Sequence, residues 1–301
     1  MKRLIILLSV MPVFITSIAQ SRSFFETGSI YPAHEIVPKT IALSNGINLE
    51  YVEKGNKDAT AVIFLHGYSD SWHSFETVMN MFPPEMHLIA LSLRGHGNSS
   101  KPNEGYHPKD FAGDLSLFIN EKKLRASIIV GHSLGGYIAQ QFAINYPELT
   151  KALVLIDTDA YFADNPGFTD FTDGILKFEK PVDYSFARDF QLSTLAKPID
   201  SLQLALFIAE SMKLPLHVWK GVAAGLVAAD FTQDLQKIDA PVLIFWGTAD
   251  MICFKADQEN FARNLKNEKL LIYDGTGHAL HWEEPEKFVA DLLSFVKENT
   301  N

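Results

Sequence analysis

The sequence predicts an α/β fold: a mostly parallel sheet flanked by helices and interrupted by one helical insertion. Three observations carry this. Short continuous apolar runs, such as Ala61-Val62-Ile63-Phe64-Leu65, recur along the chain and suit strands buried on both faces. Helical patterns separate them, and strand–helix alternation builds a parallel sheet. The interval 158–237 holds no such run and is too long for an ordinary connection.

The elements follow in chain order. Met1-Lys2-Arg3, an apolar run from Leu4 to Ile18 and small residues at Ser17 and Ala19 make the three parts of a secretory signal peptide, 1–19. The run is shorter than the roughly 20 apolar residues of a spanning helix, and Pro12 interrupts it. No cysteine follows to carry a lipid. The expectation is a periplasmic or secreted protein with no stable membrane anchor after cleavage, the alternative being an uncleaved anchor. Residues 20–36 read as a lead-in. Thr40–Leu43 and Ile47–Val52 flank Asn45-Gly46 and read as a β-hairpin. Further strands are expected at Ala61–Leu65, His87–Leu93, Ser127–Val130, Ala152–Ile156, Val242–Trp246 and Lys269–Tyr273. Helices are expected at Pro108–Asn120, Leu134–Asn145, Phe254–Leu265 and Glu284–Glu298. The core thus comprises 20–157 and 238–301. The cap, 158–237, is rich in phenylalanine and carries helical stretches at Ile199–Ser211 and Leu216–Ala229.

Composition narrows the function. The chain of 301 residues is 47% hydrophobic and 21% charged, enough for a large core and unlike a disordered chain. A net charge of −10 disfavours nucleic acid and anionic membrane as partners. The single cysteine, Cys253, excludes an intrachain disulfide and a multi-cysteine metal site.

Gly131-His132-Ser133-Leu134-Gly135 stands between an apolar run and a helical pattern. A sharp turn there strains Ser133 and presents its hydroxyl at a helix N-terminus, where backbone N–H groups favour developing negative charge. A serine nucleophile needs a base, and the base an orienting acid. Asp250 and His278 each follow a predicted strand, where sites in open α/β sheets lie. Asp157 is the alternative acid and His281 the alternative base. The oxyanion donors are expected to be the backbone N–H groups of Leu134 and Tyr68, with Gly67 letting the substrate approach. His66 reads as a structural residue bonded to loop backbone. Trp72 and Met251, adjacent to these groups, are expected to wall the substrate pocket.

With these residues in view, the chain resembles the α/β-hydrolase fold superfamily, of the capped serine-hydrolase kind. The resemblance rests on His66-Gly67-Tyr68, Arg94-Gly95-His96-Gly97-Asn98-Ser99, Gly131-His132-Ser133-Leu134-Gly135-Gly136, Gly247-Thr248-Ala249-Asp250 and Gly277-His278. It implies an eight-stranded sheet with a lid after strand six. Ser92 departs from the pattern, since relatives often carry aspartate there, and altered loop hydrogen bonding is expected. Relatives that open epoxides or displace halide need aspartate at position 133, and those releasing N-terminal proline carry Gly-Gly-Ser-Trp-Gly. The reading is therefore a serine hydrolase of a small carboxylic ester or lactone, needing no metal or cofactor. The alternatives are a carbon–carbon bond hydrolase of the same fold and a non-catalytic ligand-binding scaffold.

Overall fold

The computed structural model describes residues 36–300. The segment read as a signal peptide and most of the lead-in lie outside the described residues. The hairpin forms from β1 (Lys39–Ala42) and β2 (Asn48–Gly55), paired antiparallel. Its turn uses Gly46 at φ +85°, a left-handed conformation that glycine adopts without steric penalty. The buried runs become β3 (Ala61–Leu65), β4 (His87–Leu91), β5 (Ser127–His132), β6 (Thr150–Ile156), β7 (Val242–Gly247) and β8 (Glu268–Tyr273). They form one sheet in the order β1-β2-β4-β3-β5-β6-β7-β8. Pairs involving β2 are antiparallel; the remaining pairs are parallel.

Helices cover both faces, and β3 shows why its run is continuously apolar. Ile63 and Leu65 belong to one core with Phe111 and Tyr137. Those two rings come from α2 (Pro108–Glu121) and α3 (Leu134–Asn145). Val62 and Phe64 belong to the opposite core with Met79 and Phe288. Those side chains come from α1 (Glu76–Met81) and α10 (Pro285–Thr300). Each such side chain withdrawn from water contributes about 1.5–3 kcal/mol.

Between β6 and β7 the chain forms α4 (Pro166–Leu176), α5 (Tyr184–Ser193), α6 (Ser201–Met212) and α7 (Leu216–Val227). Asn165, Asp183 and Asp200 cap the first three, their side-chain oxygens accepting first-turn N–H groups. After β7 come α8 (Lys255–Asn264) and the one-turn α9 (Leu280–Glu283).

The Arg94-Gly95-His96-Gly97 loop explains Ser92. Glu50 on β2 is buried and supplies the carboxylate. Its Oε2 accepts the Ser92 hydroxyl at 2.8 Å and the Asn98 N–H at 3.0 Å, and its Oε1 accepts Asn98 Nδ2 at 2.6 Å. The loop is thus held by an acid from the neighbouring strand.

Candidate active site

Ser133 follows β5 and precedes α3, with φ 50° and ψ −114°. A non-glycine residue there carries strain of order 1–3 kcal/mol. Neighbouring backbone enforces it. A Cβ on Gly131 would lie 2.2 Å from the Gly135 carbonyl oxygen, and one on Gly135 would lie 2.0 Å from that of Leu65. Only glycine lets β3, the turn and α3 pack this closely. The turn is tied further by Ser133 N–H to Ile156 O at 3.0 Å and Thr158 Oγ1 to Ser133 O at 2.8 Å.

His278 stands in the loop after β8, buried, with Nδ1 at 2.9 Å from Asp250 Oδ2. The other Asp250 oxygen accepts the N–H groups of Ile252 at 2.7 Å and Cys253 at 3.1 Å. The carboxylate is thereby fixed, and His278 keeps Nε2 free for a proton. Ser133 and His278 line the same cavity of about 410 Å³. No Ser133–His278 hydrogen bond is formed among the described residues; nucleophile–base bonds of this kind commonly tighten only when substrate binds.

The two alternatives occupy other positions. Asp157 Oδ1 accepts the Gly247 N–H at 2.8 Å. Burial, and then the neighbouring Asp250 carboxylate, push its pKa well above the usual carboxylate range. Asp250, and not Asp157, is therefore the carboxylate in contact with the His278 ring. His281 is fully buried, stacks on Phe75 at 4.9 Å and bonds Ser74 Oγ at 3.2 Å, outside the cavity lining. Burial and then the His278 imidazole lower its pKa to about 3. His66 Nδ1 donates to Gly67 O at 2.7 Å while its Nε2 accepts the Leu93 N–H at 3.0 Å, which joins two loops.

Leu134 opens α3, and Tyr68 lies in the loop after β3. Neither backbone N–H donates to an acceptor among the described residues. The Tyr68 hydroxyl donates to Trp219 O at 2.5 Å, tying this loop to α7. Its ring packs on Trp219, Phe190 and Phe171 of the insertion.

Met251 lies at the cavity rim, 76% exposed. Trp72 does not line the cavity, which corrects the expectation from sequence adjacency. The chain turns at Ser71 into a single 3-10 turn, Trp72–Phe75, and the indole packs with the α1/α10 core. It stacks on His73 at 3.7 Å. The walls are instead supplied by Phe168, Phe171, Phe190, Leu226 and Trp282.

Three lining residues had not been singled out from the sequence. His132 donates from Nε2 to His278 O at 2.8 Å, holding the loop that carries His278. Burial, then His281 and His278, keep it well below the usual imidazole range and therefore neutral. Asp70 and Gln191 meet on the cavity wall, Gln191 Nε2 donating to Asp70 Oδ1 at 2.8 Å. Asp70 follows the His66-Gly67-Tyr68 stretch by two residues, a signal within reach of the sequence; Gln191 carries none.

Asp250, Cys253 and His278 offer ligand atoms within 4.8 Å of one another. Asp250 and His278 already satisfy each other. Burial, and then nearby carboxylates, hold the Cys253 thiol well above its usual pKa. Cys253 Sγ itself lies 3.5 Å from the Asp157 carbonyl oxygen, so the ligand atoms of this trio are already engaged with protein partners.

Comparison with known proteins agrees with the geometry. Residues 60–285 match the family model for the alpha/beta hydrolase fold. The chain is 27% identical over 273 residues to a non-heme chloroperoxidase of Streptomyces lividans, covering 86% of this chain and 99% of that protein. It is 27% identical over 279 residues to a bifunctional esterase/perhydrolase of Acinetobacter calcoaceticus, covering 85% and 99%. Among solved structures, an esterase from Exiguobacterium antarcticum superposes with a TM-score of 0.80 at 26% identity, covering 87% of this chain and 100% of that one.

Proposed function

This chain belongs to the α/β-hydrolase fold family, and from that premise we propose that it is an exported serine hydrolase cleaving a small carboxylic ester or lactone. The observation that carries the reading is Ser133, on its strained turn, sharing one cavity with a His278 that is bonded to Asp250 at 2.9 Å. In this mechanism Ser133 Oγ attacks the carbonyl carbon while His278 Nε2 takes the hydroxyl proton. Asp250 holds the ring and stabilises the imidazolium. The N–H groups of Tyr68 and Leu134 receive the tetrahedral oxyanion. Collapse expels the alcohol, which takes the proton from His278 and leaves an acyl-serine. Water then attacks with the same proton relay and releases the acid.

The bifunctional esterase/perhydrolase relative and the esterase neighbour support ester chemistry. The aromatic walls and the cavity of about 410 Å³ suit a medium acyl or aryl group. Export rests on the basic and apolar N-terminal segment.

The test is hydrolysis of p-nitrophenyl esters of graded acyl length, beside Ser133→Ala. Turnover is expected to fall roughly 10⁴-fold or more in the variant with the melting temperature preserved. A folded Ser133→Ala protein with full activity overturns the nucleophile. No turnover on any ester by the folded wild type transfers the reading to a carbon–carbon bond hydrolase or a binding scaffold.

A further inference from the structure

Apart from Ser133, His278 and a few other polar groups, the cavity is walled by apolar side chains, and two of its polar residues come together away from the nucleophile's own motif. Asp70, in the loop after β3, and Gln191, on α5, are 3% and 1% exposed, and both line it. The Gln191 amide nitrogen is committed, donating to Asp70 Oδ1 at 2.8 Å and to Ser211 Oγ at 2.9 Å. Ser211 Oγ in turn lies 2.9 Å from Ser69 Oγ. The Gln191 carbonyl oxygen Oε1 is buried with no partner among the described residues. Leaving a buried acceptor unpaired costs about 1–3 kcal/mol unless a ligand satisfies it. No lysine or arginine belongs to the described lining, whose basic side chains are His132 and His278, and the acceptors at this wall are the Asp70 carboxylate and Gln191 Oε1.

We propose that Asp70 and Gln191 form a hydrogen-bond-accepting subsite that selects substrates carrying an N–H or O–H donor, a primary amine or a hydroxyl, beside their apolar body. The identity of the ligand as a substrate rests on the serine hydrolase reading; the subsite itself does not. Burial raises the Asp70 pKa to about 7, with Gln191 and His278 pulling it down and Glu210 pushing it up. These are the groups that face Asp70 from α5, from the loop after β8 and from α6; Glu210 is itself paired with Lys213. Above that pH the carboxylate is charged and receives an ammonium as an ion pair; below it the pair is lost. An amine ligand therefore binds more tightly as the pH rises from 6 to 8, while a hydroxyl ligand changes less.

Calorimetric titration of the folded protein with three shape-matched probes reads this without turnover: 1-hexylamine, 1-hexanol and methyl pentyl ether, which lacks a donor. At least one donor probe is expected to bind about tenfold or more tighter than the ether, the ratio for a hydrogen bond to a charged or buried acceptor. A lead for the amine that grows with pH identifies the ammonium as the source; a lead for the alcohol identifies a neutral hydroxyl. Asp70→Asn and Gln191→Leu should each shrink the preference. Equal binding of all three probes by the wild type overturns the proposal, even if both variants fail to fold. A protein that turns over no ester yet prefers donor probes loses the hydrolase reading and keeps the subsite. An active enzyme without the preference does the reverse.

Discussion

Gly135 and Gly174 are both helical glycines, one in α3 against the central strands of the sheet and one in α4 of the cap. A Cβ on Gly135 would strike the Leu65 carbonyl at 2.0 Å, whereas one on Gly174 would meet nothing within 4 Å. The contrast extends to the regions around them. At the carboxyl ends of the central strands β3 and β5, backbone touches backbone and the position of Ser133 is dictated by main-chain contacts that no rotamer change can relieve. In the cap, backbone comes as close at Gly225 of α7, where a Cβ would lie 2.1 Å from the Tyr106 carbonyl oxygen, but around the cavity Phe171 packs on Phe186 and Phe190, and these two on Trp219, side chain against side chain. Polar contacts also join cap to core, among them Gln191 to Asp70, the Ser69–Ser211 pair, Tyr68 OH to Trp219 O and Asn165 Nδ2 to Ile252 O. Main-chain packing holds reacting groups to a fraction of an ångström. Side-chain packing holds a volume that substitutions can reshape.

The largest effect that could break this division lies in the two buried aspartates. Asp250→Asn should lower kcat by roughly 10³–10⁴-fold, because an amide cannot hold His278 in the required tautomer. Asp157→Asn should keep activity within about tenfold, since Asp157 makes no hydrogen bond to His278 and an amide oxygen can still accept the Gly247 N–H. Steady-state kinetics on one ester decide it; equal losses would mean that the two carboxylates act as one unit.

Gly135→Ala comes next. Its clash is with backbone, so a loss of about 3 kcal/mol or more in urea unfolding is expected, with activity falling in the fraction that stays folded. A variant as stable as the wild type would show that the turn can relax.

Phe190→Ala should act on selectivity. The ring contacts Tyr68, Phe171 and Trp219 and lines the cavity. Its removal should raise KM for the preferred ester about tenfold and shift the optimum to longer acyl chains with kcat little changed. A loss confined to kcat would place this ring with the chemistry instead of the pocket. The smallest effect is Gly174→Ala, expected to stabilise the protein by about 0.5–1 kcal/mol through helix propensity, seen as a higher urea midpoint.

The legibility of the sequence follows the same division. The buried strands were readable because burial on both faces demands continuous apolar runs, and β3 falls on Ala61–Leu65 as the pattern predicts. The other strands differ at their ends by up to three residues, as at β2, which runs on to Gly55, and at β5, which continues through Gly131 and His132 into the turn. The short α1 was not anticipated, being only six residues. Helices α4 and α5 were also missed, although Asn165-Pro166 and Asp183 are N-terminal signals. Trp72 was misplaced because neighbours in sequence can leave a loop in opposite directions.

What the sequence determined by itself is what local chemistry compels: the parallel sheet, the glycine-flanked turn at Ser133, and an acid and a histidine each placed after a strand. The tertiary structure alone pairs Asp250, and not Asp157, with His278, and places His278, and not His281, on the cavity. All four side chains are buried, so the difference lies in which partner each one meets. It also brought Gln191 against Asp70, 121 residues away along the chain. Contacts of that separation come from packing the cap onto the sheet, and no local pattern encodes them.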